Sequence, residues 1–146
     1  MKKMKPILLI LFTLCILSAC DQEISLPKEI EFYEPAYSAL WLVGDAVPAG
    51  WDIDNPTPMV VNPENLFEFT WEGELKAGQF KIPTETGEWG CNYYMPSVNG
   101  EEISVAVTVE HIEGGDPDNK WVVTESGAYK IVLNIRPPIS IQFTKM

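Results

Sequence analysis

The chain has 146 residues, with Lys+Arg 10 against Asp+Glu 21 and a formal net charge of -11. With 46% hydrophobic and 11% aromatic residues it holds enough apolar side chain for one folded domain, which excludes disorder throughout. So acidic a chain repels phosphate backbones, and nucleic acid is excluded as a partner.

At the N-terminus Lys2, Lys3 and Lys5 precede an apolar run from Ile7 to Leu17, broken only by Thr13, and Leu17-Ser18-Ala19-Cys20 closes it with small residues. The run is too short to cross the roughly 30 Å hydrocarbon core of a bilayer comfortably, so residues 1–19 read as a signal peptide. The closing tetrapeptide resembles a bacterial lipobox, which implies cleavage before Cys20 and lipidation of its thiol. The lipid would anchor the chain to a membrane while the domain stays in water. Asp21-Gln22-Glu23 resembles the surface-export signal of Bacteroides-type lipoproteins, which implies a lipid-anchored protein of the outer membrane facing the cell exterior. Cys15 leaves with the signal and Cys20 carries lipid, so Cys91 remains alone and no intramolecular disulfide is expected. Residues 20–38, with Pro27 and Pro35, read as lipidated N-terminus and tether, and residues 39–146 as the domain.

From Ala39 onward the hydrophobic pattern has period two. Leu40 to Val43 and Met59 to Val61 predict short strands. Phe67, Phe69 and Trp71 alternate with Glu68, Thr70 and Glu72, and Phe80 and Ile82 flank Lys81. Ile103, Val105, Val107 and Val109 predict a further strand, Trp121 to Val123 a short one, and Tyr129, Ile131, Leu133 and Ile135 a long one. Ile139, Ile141 and Phe143 follow the Pro137-Pro138 break. No window keeps a helical repeat for long. Seven or eight antiparallel strands, punctuated by Gly, Pro, Asn and Asp, predict an all-β, two-sheet immunoglobulin-like β-sandwich.

The chain offers little to catalysis. Its one histidine, His111, stands at the end of a predicted strand without a nucleophile motif around it, and nothing in the sequence activates Cys91 toward it. With 21 acidic residues, some carboxylate pair exists at any separation, so such a pair does not indicate glycoside hydrolysis. Asp52-Ile53-Asp54-Asn55 and Asp116-Pro117-Asp118-Asn119 lack the spacing of a calcium-binding EF-hand loop and read as turn formers. No metal and no cofactor is expected, and no enzyme.

The informative residues are aromatic. Trp51 follows Pro48-Ala49-Gly50, and Trp89 lies between Gly87-Glu88 and Gly90, both outside the alternating strands, whereas Trp41, Trp71 and Trp121 fall within strands and are assigned to packing. An exposed indole offers a flat apolar face to the C–H face of a pyranose. Alternation turns Lys81 to the outer face of its strand, a short loop from Trp89, where its ammonium donors would reach sugar hydroxyls. The competing reading makes Lys81 a solvated strand residue and both indoles plugs between loop and core.

Leu40-Trp41-Leu42-Val43-Gly44-Asp45-Ala46, Pro48-Ala49-Gly50-Trp51-Asp52, Leu75-Lys76-Ala77-Gly78-Gln79-Phe80-Lys81-Ile82, Asp118-Asn119-Lys120-Trp121 and Gly127-Ala128-Tyr129-Lys130-Ile131 occur in that order. Together they resemble the carbohydrate-binding domains of the SusE/SusF family, surface lipoproteins of starch-utilisation systems. The same order resembles the glycogen-binding module of AMP-activated kinase. The resemblance implies that Trp51 and Trp89 are platform residues and Lys81 a hydroxyl-binding lysine, that Asn119 serves as a late polar ligand, and that Tyr93 and Tyr94 extend the platform. It implies starch-like α-glucan as ligand and an outer-membrane transporter complex as partner. The chain departs from the family in having one such domain where the family has strings of several. The alternative from a different class is an immunoglobulin-like lipoprotein that acts as spacer or protein-interaction module and binds no sugar.

Overall fold

The computed structural model describes residues 33–105 and 107–146. The signal peptide, Cys20 and the tether as far as residue 32 lie outside the described residues, as does Ala106. The described residues form an all-β structure of several small sheets, with no α-helix among them. In chain order the strands are β1 (Trp41–Leu42), β2 (Thr57–Pro58), β3 (Val60–Asn62), β4 (Asn65–Leu75), β5 (Gly78–Phe80) and β6 (Ile82–Pro83). They continue with β7 (Tyr93–Met95), β8 (Glu101–Glu102), β9 (Glu110–Ile112), β10 (Trp121–Val123), β11 (Gly127–Asn134) and β12 (Ser140–Lys145). Twelve strands, most of them two or three residues long, thus stand among the described residues where seven or eight were expected, and one pairing, β8 with β10, is parallel.

The largest sheet has the order β12-β11-β4-β3. Its register follows from the alternation: Leu133 lies opposite Phe69 and Ile131 opposite Trp71, so the apolar side chains of β4 and β11 share one face and are buried. Three smaller sheets, β1-β2, β5-β10-β8 and β6-β7-β9, meet around residues 78–83. Lys81 is the joint, because its N–H and C=O pair with Val43 while Phe80 pairs with Trp121 and Ile82 with Tyr94. One backbone stretch therefore holds β1 on one edge and β10 and β7 on the other.

The main apolar cluster draws Leu42, Phe80, Ile82, Tyr94 and Trp121 together with Phe69, Trp71, Ile131 and Leu133. Phe143 of β12 meets both Phe80 and Trp121 edge-on, with ring centres 5.9 and 5.7 Å apart. A second, smaller cluster of Cys91, Tyr93 and Met95 forms beside Ile112.

Among the described residues of the strand expected over Ile103 to Val109, none lies in a strand. Glu101 accepts hydrogen bonds from the backbone N–H and the hydroxyl of Thr108, and the Trp121 indole N–H donates to the Thr108 carbonyl at 3.2 Å. These side chains occupy backbone groups that a ladder would use.

Candidate functional site

Trp51 is set by a tight loop. Gly44 N–H donates to the Gly50 carbonyl at 2.9 Å and Gly50 N–H to the Val47 carbonyl at 3.1 Å, while the Thr57 hydroxyl accepts from Ala49 N–H at 3.0 Å. Gly50 adopts φ 65°, a left-handed conformation that turns the chain just before the indole. Next along the chain, Asp52 accepts from the N–H groups of Asp54 and Asn55, both at 3.1 Å, which is the turn-forming role expected of that segment.

Trp89 is set by a second loop tied to the first, since Gly87 N–H donates to the Ile53 carbonyl at 2.8 Å. The Glu88 carboxylate accepts from Gly90 N–H at 2.8 Å, and the Tyr93 hydroxyl donates to the Trp89 carbonyl at 2.9 Å. Tyr93 is completely buried, and that burial, with a lesser contribution from Cys91, holds its hydroxyl protonated well above the ordinary phenol range. It stays a donor for this bond.

The two loops bring the indoles together. Their ring centres lie 6.5 Å apart with planes tilted by 42°, and Trp51 is 40% and Trp89 45% exposed. The reading of both as loop-to-core plugs is not what the structure gives. Trp71 and Trp121 are buried in the core and Trp41 is half-buried in β1.

Lys81 lies beside the pair but is covered. Alternation does turn it away from the main core, where Phe80 and Ile82 point, yet only 5% of it is exposed. Its ammonium sits 4.0 Å from the centre of the Tyr93 ring and 5.5 Å from that of Trp89, a cation–π arrangement. Asp118 accepts from it at 2.7 Å, so a residue read as a turn former closes the ammonium off. The same carboxylate accepts from Lys120 at 2.7 Å.

Three sequence expectations need correction. Tyr93 and Tyr94 do not extend the platform: both are buried, Tyr93 beneath the Lys81 ammonium and Tyr94 in the main core against Tyr37 and His111. Asn119 is buried too, and its amide donates to the Pro96 and Ser97 carbonyls at 3.0 and 3.3 Å, so it anchors a loop. Lys81 is a buried strut rather than a residue on an open sheet face. Cys91 and His111 are separately engaged, the thiol with the Glu85 carbonyl and the imidazole with the Tyr37 hydroxyl at 2.7 Å. The residues that spacing alone did not single out are Asp118 and Lys120, although both lie within the Asp118-Asn119-Lys120-Trp121 motif.

Burial pushes the Asp118 carboxyl upward, but hydrogen bonds and charge from Lys120 and Lys81 outweigh it and hold the group below the ordinary carboxylate range. A depressed value in the fold means stability that is present above the unfolded carboxylate pKa and lost as pH falls through the folded one. Asp118→Asn should therefore flatten the acid side of the melting profile between neutral pH and about pH 3. Thermal melts across that range check it, and equal slopes in both proteins would contradict it. The effect is small, because the carboxylate is half in water.

A cleft of about 470 Å³ lined by Val105, Val107, Tyr129, Ile141, Phe143 and Lys145, among others, lies elsewhere and shares no residue with the indole pair. Compared with protein-family models, curated proteins and solved structures, the chain matches none of them.

Proposed function

We propose that the chain is a non-catalytic, lipid-anchored surface protein of the SusE/SusF type that binds starch-like α-glucan by stacking on Trp51 and Trp89. The observation that carries this reading is the exposed indole pair, 6.5 Å between centres and tilted by 42°. Two tilted planes suit a chain whose successive sugar rings turn relative to one another, and each would meet the C–H face of one ring. We further propose that the small sheets stack against β12-β11-β4-β3 as the two layers of an immunoglobulin-like sandwich. The contacts of Phe143 with Phe80 and Trp121 support this arrangement.

Stacking of about 1 to 3 kcal/mol per ring, by analogy with bases on aromatic side chains, plus a few hydrogen bonds gives roughly millimolar to tens-of-micromolar affinity. Retention of a polymer would then depend on many copies tethered on one membrane, and an outer-membrane transporter complex is the fitting partner. The acidic surface leaves a neutral glucan unopposed and repels an acidic polysaccharide, so binding should be nearly insensitive to salt.

Affinity electrophoresis of the wild type, Trp51→Ala and Lys81→Ala on starch, dextran and pectin gels tests the reading. Retardation by starch alone, lost in the folded variants, is the expected result. No retardation of the wild type on any gel would favour a spacer or protein-interaction module instead.

A further inference from the structure

We propose that Asp118 is the polar group of this site that meets the ligand, accepting hydrogen bonds from neighbouring hydroxyls of one sugar ring, while Lys81 and Lys120 hold its carboxylate in place. The inference rests on the saccharide reading above and assigns the polar contact to a residue other than Lys81 or Asn119.

The Lys81 ammonium is closed in by the Tyr93 ring at 4.0 Å, the Trp89 ring at 5.5 Å and Asp118 at 2.7 Å, which leaves little of it for a ligand. The Asn119 amide is spent on the Pro96 and Ser97 carbonyls. The Asp118 side chain, by contrast, is 53% exposed while standing directly on the buried ammonium. Each of its oxygens holds one ammonium, Oδ1 that of Lys81 and Oδ2 that of Lys120. An ionised carboxylate has about four acceptor positions, so each oxygen keeps one for an incoming donor. Two adjacent acceptors on one rigid group match two adjacent hydroxyls on a pyranose, and bonds to a charged acceptor are stronger than neutral ones.

The backbone under Asp118 is fixed as well. Besides the Asn119 bonds, Lys120 N–H donates to the Asn99 side-chain oxygen at 3.1 Å, Gly100 N–H to the Lys120 carbonyl at 2.9 Å, and the Lys120 ammonium to the Asp118 carbonyl at 2.9 Å. A group held this way loses little freedom on binding, which favours its use as a recognition element. The ligand class that follows is a neutral sugar carrying two neighbouring free hydroxyls on the ring that stacks at Trp89.

The test is calorimetric titration of maltoheptaose into the full chain, kept in a detergent without a sugar headgroup. Wild type, Asp118→Ala, Asp118→Asn, Lys120→Ala and Trp51→Ala are compared, each checked for fold by circular dichroism. Asp118→Ala should weaken binding about ten- to a hundredfold, Asp118→Asn about tenfold because one acceptor oxygen survives, and Lys120→Ala severalfold. Maltotriosides deoxygenated at C2 or C3 of one ring separate a direct contact from a loosened loop. The wild type should lose affinity for at least one of them, whereas Asp118→Ala should bind parent and analogue alike. Wild-type affinity in Asp118→Ala, or a deoxygenation penalty undiminished in that variant, would overturn the role of Asp118 alone. A wild type that binds no glucan, or a Trp51→Ala protein that binds unchanged, would overturn the stacking reading and this inference with it.

Discussion

On the proposed stacking platform, Trp89→Ala should take starch retention below detection and leave the fold intact. The indole is 45% exposed and meets only its partner Trp51 and the Lys81 ammonium among the ring contacts of the described residues, so truncation removes little core packing. The loop keeps its anchors, because the Tyr93 hydroxyl and Gly90 N–H bonds involve the backbone around residue 89 and not its side chain. A stacked ring contributes about 1 to 3 kcal/mol, a loss of roughly five- to 150-fold from a weak starting affinity. The melting temperature should change by no more than about 3 °C. Gel retardation and a thermal melt on one preparation check both halves. Retained retardation in the Trp51→Ala, Trp89→Ala double variant would contradict the platform.

Gly44→Ala will have the opposite character, destabilising the whole domain. Gly44 adopts φ 147°, and a Cβ there would lie 2.1 Å from the Gln79 carbonyl oxygen and 2.5 Å from Phe80 Cα. Both are backbone atoms of the central stretch that also carries Lys81, so relieving the overlap would push against the neighbouring Val43–Lys81 bridge. The cost should exceed about 3 kcal/mol, since steric overlap adds to backbone strain. Gly50 is the control: its φ is 65° but nothing lies within 4 Å of a Cβ, so Gly50→Ala should cost only about 1 kcal/mol. Urea midpoints for the two variants measure the difference. Equal losses would show that the close approach of Gly44 to β5 does not matter.

What the sequence revealed depended on how each segment is buried. β4, β10, β11 and β12 were legible because one face of each meets the core and the other meets water, which writes alternation into the chain. β7 was missed for the converse reason: Tyr93, Tyr94 and Met95 are all buried, so no period appears. Residues 103–109 carry strand-like alternation, yet Glu101 and Trp121 capture the Thr108 backbone, a competition that local pattern does not show. The exposure of the two indoles was legible because they stand outside any strand period and next to glycines. The outward direction of Lys81 was legible too, but its cover was not. That cover comes from Asp118, 37 residues away in the chain, and from Tyr93 and Trp89. Asp118 was hidden by the same separation, since a turn-forming aspartate and a charge-bridging one look alike in a row of letters. Tyr93 and Tyr94 were misassigned because aromatic side chains serve core and surface equally well.

On the proposed function, two of the five tryptophans, Trp51 and Trp89, form one ligand-binding face. Titrating maltoheptaose into the ¹⁵N-labelled full chain and following the five indole N–H resonances tests it most directly. The Trp51 and Trp89 signals should shift together along a single binding curve, while those of Trp41, Trp71 and Trp121 stay in place. Signals that all stand still, or shifts confined to the buried indoles, would contradict it.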